Sequence, residues 1–440
     1  MRVLFTTVAA PTHLHTQVPL AWAMRASGHD VRMAAQPDVA ADIAAAGLTA
    51  VLVGDPINAA DWADVPRIDT SDENSNSIWD ERGDVPWALL DLGERRPERL
   101  TYDYVHGVLS AWTALDFLRT SSPRMVADLV EFARDWRPDL VIWDPLAFAG
   151  GIAAMAVGAA HARLMFGLDV IAQARAAYLA AMAARPPALR DDPLAEWLGP
   201  VLAGYGCAFT EEAVVGQWTV DPVPPSVRLP VGGLRVPMRY VPYNGLAAVP
   251  RWLRTPPERR RVCLTLGRSF REILGGDRAS VGELLDSVAD LDVEVVATLT
   301  GEQLEGVRQV PGNVRLVDFV PLDVLLPGCA AIIHHGGSGT SQTALAHGVP
   351  QVIVPARMLD NQLKSERVAE AGAGLCAPDP DRITAAELRK MLERVLTEPS
   401  FAHNAARLAR EMAAAPSPRE IVPALERLAG AAESRGPREG

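Results

Sequence analysis

Apolar and polar positions along this chain repeat with two periods, and the switches between them predict its elements. VLFTTV (3–8) is a short β-type run, and PTHLHTQ (11–17) reads as the loop after it. VPLAWAMRAS (18–27) then carries helical spacing and stops at Gly28, a residue type suited to ending a helix. HDVRMAAQ (29–36) reads as the next strand and DVAADIAAAG (38–47) as the next helix. Strands alternating with helices predict an α/β fold with a parallel sheet covered on both faces.

The periodicity breaks between Asp55 and Trp87, where nine acidic residues stand against two arginines and SDENSNS lies near the centre. A polar insertion of that length reads as a surface loop. Regularity returns with the helix MVADLVEFARDW (125–136) and the strand DLVIWD (139–144), which ends at Asp144 before Pro145. Residues 221–260 are rich in proline, which removes backbone donors and favours extended chain. RVCLTLG (261–267) opens a second series. It continues through helix VGELLDSVADL, strands VEVVATL, VRLVDFV and AAIIHH, helix TSQTALAHG and strand PQVIVP. PSPREIVPALERLAGA is one more amphipathic helix near the end.

The expected organisation is a first domain over 1–220, a proline-rich linker over 221–240 and a second domain over 241–417. A helix at 418–432 is expected to pack back on the first domain, ahead of a tail at 433–440. The length of 440 residues exceeds the usual size of one core, in keeping with two domains.

Charge and composition narrow the function. A formal charge of −12 argues against a general nucleic-acid binder, whose affinity rests on Lys and Arg. The four cysteines (Cys207, Cys263, Cys329, Cys376) form no CxxC pair and read as buried free thiols in a reducing compartment. MRVLFTTVAAP reads as a first strand rather than a signal peptide, and no uninterrupted apolar stretch reaches about 18 residues. A cytoplasmic protein is expected. Nine of the ten tryptophans precede residue 220, which makes the first half the candidate for holding a large apolar ligand.

HHGGSGT (334–340) falls where the strand AAII gives way to a helix. At such a junction the first helical N–H groups lack partners and the dipole is positive, a ready anion site. Gly336, Gly337 and Gly339 let backbone approach an anion, Ser338 and Thr340 offer hydroxyls, and His335 offers an imidazole N–H. A tight structural turn would also use glycine; the two adjacent histidines favour phosphate. No GK[ST] follows, and PTHLHT rather than GxGxxG follows the first strand, so neither nucleotide fingerprint is present.

FVPLDVLLPGCAAIIHHGGSGTSQTALAHGVPQVIVP resembles the donor-binding signature of family 1 nucleotide-sugar glycosyltransferases, which have two facing Rossmann-like domains, the GT-B fold. APTHLHTQVPLAWAMRASGHDV is similar to openings of the actinobacterial branch that attaches deoxysugars to polyketide antibiotics. The resemblance makes 1–220 the acceptor domain and 241–417 the donor domain. It implies that His335 and Gly336–Thr340 meet the donor diphosphate, with Gly267 and Ser269 of LTLGRSF nearby. It implies that Phe319, Val320 and Pro321 line the base. Some members carry a glutamate at the place of Thr343 that grips both ribose hydroxyls; its loss here fits a dTDP-sugar. The family's acid–amide pair near the sugar matches Asp360 and Asn361 once an extra residue is allowed after Pro355.

His13, after the first strand, is the candidate base. Imidazole titrates near neutrality and can take the proton of an attacking hydroxyl. Asp144 resembles its orienting partner, and His15 is the rival. The implied reaction is inverting and metal-independent, with helix N–H groups stabilising the leaving diphosphate. The DxD triplets at Asp290–Asp292 and Asp379–Asp381 follow no strand in a metal-using pattern. No cofactor is expected beyond the dTDP-sugar co-substrate. Expected partners are an apolar polyketide-type acceptor, a P450-like helper protein acting through the acidic stretch, and a second copy in a homodimer. The alternatives are a sugar-nucleotide epimerase and a non-catalytic nucleotide-sugar binding subunit.

Overall fold

Short runs of β-branched and apolar residues build two separate parallel sheets. The first has seven strands: β1 (Arg2–Thr6), β2 (Asp30–Ala35), β3 (Ala50–Leu52), β4 (Leu140–Trp143), β5 (Ala160–Leu164), β6 (Trp218–Asp221) and β7 (Arg235–Pro237). They lie in the order β3-β2-β1-β4-β5-β6-β7. The second has six: β8 (Arg261–Thr265), β9 (Glu294–Thr298), β10 (Val314–Val317), β11 (Cys329–His334), β12 (Gln351–Ile353) and β13 (Gly374–Cys376). Their order is β10-β9-β8-β11-β12-β13. The computed structural model describes residues 1–57, 91–267, 280–305, 307, 309–356, 358–380 and 382–433. Most of the acidic stretch 55–87, on which the helper-protein expectation rests, and Ser269 lie outside them.

Each sheet reverses its winding once. Strand β1 is flanked by β2 and β4, and β8 is flanked by β9 and β11, all parallel. In such sheets the crevice at the carboxyl ends of the strands, at the reversal, is where ligands bind. Thr6 pairs with Trp143 at the end of β1 and β4, which places the start of the first helix and Asp144 side by side. Thr265 pairs with His334 at the end of β8 and β11, bringing Gly267 beside His335.

Three readings of the sequence change. PTHLHTQ is not a loop: the first helix spans Pro11–Ala26, with Pro11 in its opening turn and Pro19 inside it. A proline at the first helical position gives up an N–H that has no intrahelical partner anyway, so it starts a helix as readily as it ends one. The prolines of 221–240 do not mark free linker throughout, because Arg235–Pro237 pairs with β6 as the edge strand β7, where proline is tolerated. Of the four free thiols only Cys263 is buried; Cys207, Cys329 and Cys376 are partly exposed.

One apolar cluster runs across both halves. It joins Trp143, Phe148 and Leu168 of the first half with Leu345, Leu363 and Leu408 of the second. The last helix, Pro418–Glu433, buries Ile421, Val422, Leu425 and Ala429 with Val3, Phe5 and Met24 of the first half. No helix among the described residues is long and apolar enough to cross a membrane.

Candidate active site

His13 sits in the first turn of the opening helix, and its Nδ1 lies 2.7 Å from Asp144 Oδ2. Asp144 is fixed from both sides. Its N–H donates to Thr6 O at 3.0 Å, and its Oδ1 accepts the Leu146 N–H at 3.0 Å. With Nδ1 engaged, Nε2 is the nitrogen left to face a reactant. Phe166 leans over the imidazole with ring centroids 4.4 Å apart. Burial lowers the His13 pKa, but the Asp144 charge and hydrogen bond, with Asp116 and Asp360 behind them, outweigh it and the pKa is raised. The rival His15 packs edge-on against Tyr243, at 5.2 Å between centroids.

Asp116 belongs to this group and had no signal in the sequence. It sits in a π-helical turn, Thr113–Phe117, within a long helix whose pattern was not legible. Burial pushes its carboxyl up to about 6, and its Oδ2 has no hydrogen-bond partner among the described residues.

On the second sheet, β11 delivers HHGGSGT to the start of the helix Ser338–Ala346. The two histidines divide their work. His334 is buried, with Nε2 2.8 Å from Gln351 Oε1 and Nδ1 accepting the Gly336 N–H at 3.0 Å, so it braces the turn. His335 lies between glycines: a Cβ at Gly337 would fall 2.9 Å from its Nε2, and one at Gly267 would collide with the ring. Burial lowers the His335 pKa to about 4, with help from the Lys364 charge, so the ring is neutral near pH 7 and keeps an N–H to donate. Gly336 has φ +87°, a left-handed conformation that also lets Ser365 Oγ approach the place a Cβ would take. Ser338, Gly339 and Thr340 form the first turn of the helix.

The remaining expected residues are placed unevenly. Phe319 is half exposed after β10, as a stacking surface requires. Val320 is buried in the core with Cys263 and Leu325, so it supports that segment and does not line a surface. Pro321 precedes the short helix Leu322–Leu325. Thr343 is buried, with its hydroxyl donating to Gly339 O at 2.6 Å and lying 3.4 Å from the Tyr240 hydroxyl. Asp360 and Asn361 are buried around Lys364, which donates to Asp360 Oδ1 at 3.0 Å and Asn361 Oδ1 at 3.2 Å.

Phe166 links the two halves at this point: its ring leans over His13, and its carbonyl accepts from Gln342 in the helix that follows the glycine turn. An apolar cavity there is lined by Leu146, Met165, Phe166, Ile171 and Asp360. Among the described residues no three His, Cys, Asp or Glu side chains come together as a metal site.

Known proteins resemble both halves of the chain. Residues 22–267 match the erythromycin biosynthesis protein CIII-like N-terminal domain, and residues 282–428 match the corresponding C-terminal domain. The aclacinomycin-T 2-deoxy-L-fucose transferase of Streptomyces galilaeus is 54% identical over 428 residues, covering 97% of this chain and 96% of that protein. The 3-alpha-mycarosylerythronolide B desosaminyl transferase of Saccharopolyspora erythraea is 47% identical, covering 98% of each chain. Among solved structures, the glycosyltransferase VinC in complex with dTDP superposes with a TM-score of 0.85 at 42% identity, covering 98% of this chain and all of that one.

Proposed function

This chain belongs to the erythromycin biosynthesis protein CIII-like family of GT-B glycosyltransferases, and from that premise we propose that it moves a deoxysugar from dTDP to a hydroxyl of an apolar polyketide-type acceptor. The observation that carries the proposal is the 2.7 Å His13–Asp144 pair under Phe166, whose carbonyl bonds to the helix that follows His335 and its glycine turn. The epimerase and binding-subunit alternatives fall with the family assignment.

The chemistry follows from the groups present. Asp144 holds Nδ1–H, so the Nε2 lone pair takes the acceptor proton as the acceptor oxygen attacks C1. The C1–O bond to the diphosphate breaks on the opposite face, which inverts the anomeric centre. Charge building on the leaving dTDP meets the N–H groups of Gly337–Thr340, the helix dipole and the His335 N–H. Those donors do the work that a metal does in other transferases, so we propose a metal-independent reaction. Gly267 flanks the diphosphate, Phe319 offers its face to thymine with Val320 and Pro321 behind it, and Asp360 with Asn361 lies toward the sugar. The internally bonded Thr343 leaves no carboxylate for a second ribose hydroxyl, which supports dTDP over UDP.

The test is mass spectrometry of products from dTDP-deoxysugars and polyketide aglycones, run in excess EDTA. Transfer of a deoxysugar with EDTA present is expected. Loss of all activity, restored by Mg²⁺ or Mn²⁺, would overturn the mechanism.

A further inference from the structure

Three consecutive residues after β5 reach across to the donor half. Phe166 O accepts the Gln342 Nε2–H at 2.7 Å, and the Leu168 N–H donates to Asp360 Oδ2 at 2.7 Å. Between them, Gly167 runs so close that a Cβ there would lie 2.8 Å from Ser338 Oγ and collide with Asp360 Oδ2. The same segment touches the base, because the Phe166 ring is the one leaning over His13.

On the donor side two of these contacts, those at Asp360 and Ser338, meet at one ammonium. Lys364 is buried, 3% exposed, and besides Asp360 and Asn361 it donates to Ser338 Oγ at 2.6 Å. Asp360 is thus shared: Oδ1 belongs to Lys364 and Oδ2 to the acceptor half. A buried carboxylate so placed needs the opposite charge beside it, since an unpaired buried charge is costly. Removing the ammonium would free Asp360 to turn away, and with it the hold on Leu168.

Resting on the transfer reading above, we propose that Lys364 is a positioning residue for sugar transfer, tying Ser338 to Asp360 and, through Asp360, holding Phe166–Leu168 against the base. The tie sets where His13 sits relative to the donor, and displacement of about 1 Å in such a constellation is enough to cost orders of magnitude in rate. Gly167 is the second part of the device, because only a residue without Cβ lets the segment close on Asp360 and Ser338.

The test uses the full chain carrying the double substitution Lys364→Met with Asp360→Asn, which strands no charge, and separately Gly167→Ala. Thermal unfolding establishes that each is folded. Amide exchange at Phe166–Leu168 is measured without ligand, dTDP affinity by calorimetry, and kcat with both substrates. Both variants are expected to exchange at least about 10-fold faster at Phe166–Leu168 and to lose at least about 10-fold in kcat. The apparent KM for the acceptor should rise, and dTDP affinity should stay within about threefold. Unchanged exchange, or wild-type kcat in a folded variant, would overturn the proposal. So would a loss confined to dTDP affinity, which would make Lys364 a ligand of the nucleotide. The exchange readout needs neither donor nor base, so it scores the tie even if the transfer reading fails.

Discussion

His13 is under two opposing pressures. Burial favours the neutral ring, while Asp144, Asp116 and Asp360 favour the cation and win. Because the folded pKa lies above its ordinary value of 6.5, the protonated ring stabilises the fold fully below 6.5. That contribution is lost as pH rises through the folded value. As a base His13 must be neutral, so kcat/KM should climb across an ionisation above 6.5 and then level off. Asp144→Asn removes the largest raising influence and leaves burial in place. The rising limb should move to lower pH, and kcat should fall by roughly 10²-fold through loss of orientation. A limb that stays in place or moves to higher pH would disconnect Asp144 from the base.

The residues themselves were unequally legible. His335 and its glycines announced themselves, because a strand, a glycine turn and a helix in sequence carry their own physical meaning. His13 and Asp144 stand 131 positions apart, and nothing local links them. Asp144's place at the end of a strand on the same sheet edge and the family resemblance joined them. Lys364 and Asp116 belong to no motif: one gains its meaning from Asp360 and Ser338, the other from burial in a π-turn.

At the scale of elements, the turn between β11 and the helix Ser338–Ala346 carries the nucleotide account. His335 sits against Gly267 with a pKa of about 4, so its donor capacity is constant across the working pH range. His335→Ala should weaken dTDP binding by about 10-fold, in line with a hydrogen bond to a charged group. The loss should be the same at pH 6 and pH 8. Calorimetry returning wild-type affinity would take His335 out of the site.

Prolines account for the errors at this scale. Pro11 and Pro19 both lie in the first helix, and the proline-rich stretch hides β7. At Pro11 and at Pro237 on the edge strand the residue lacks an N–H that the fold does not need, which composition alone cannot reveal. Apart from Pro123–Trp136, which was read as a helix over 125–136, the helices between Tyr102 and Ala203 also escaped, since burial on several faces blurs the amphipathic period. The helix Phe148–Val157 has seven of its ten residues buried, the unbroken run Phe148 to Ala154.

For the whole molecule, the alternation of strands and helices was enough to predict two parallel sheets. How they meet was not readable. The contacts that join them span 192 positions for Leu168 and Asp360 and 176 for Phe166 and Gln342. Such contacts are products of the assembled fold and leave no local pattern. Under the proposed function the labour divides between the sheets, the first supplying proton transfer and the second binding the nucleotide. Substituting His13 by alanine and measuring both kcat and dTDP affinity tests that division most directly. The account predicts a fall in kcat of roughly 10²-fold or more, with the dTDP dissociation constant unchanged. Turnover at the wild-type rate, or a matching loss of dTDP affinity, would contradict it.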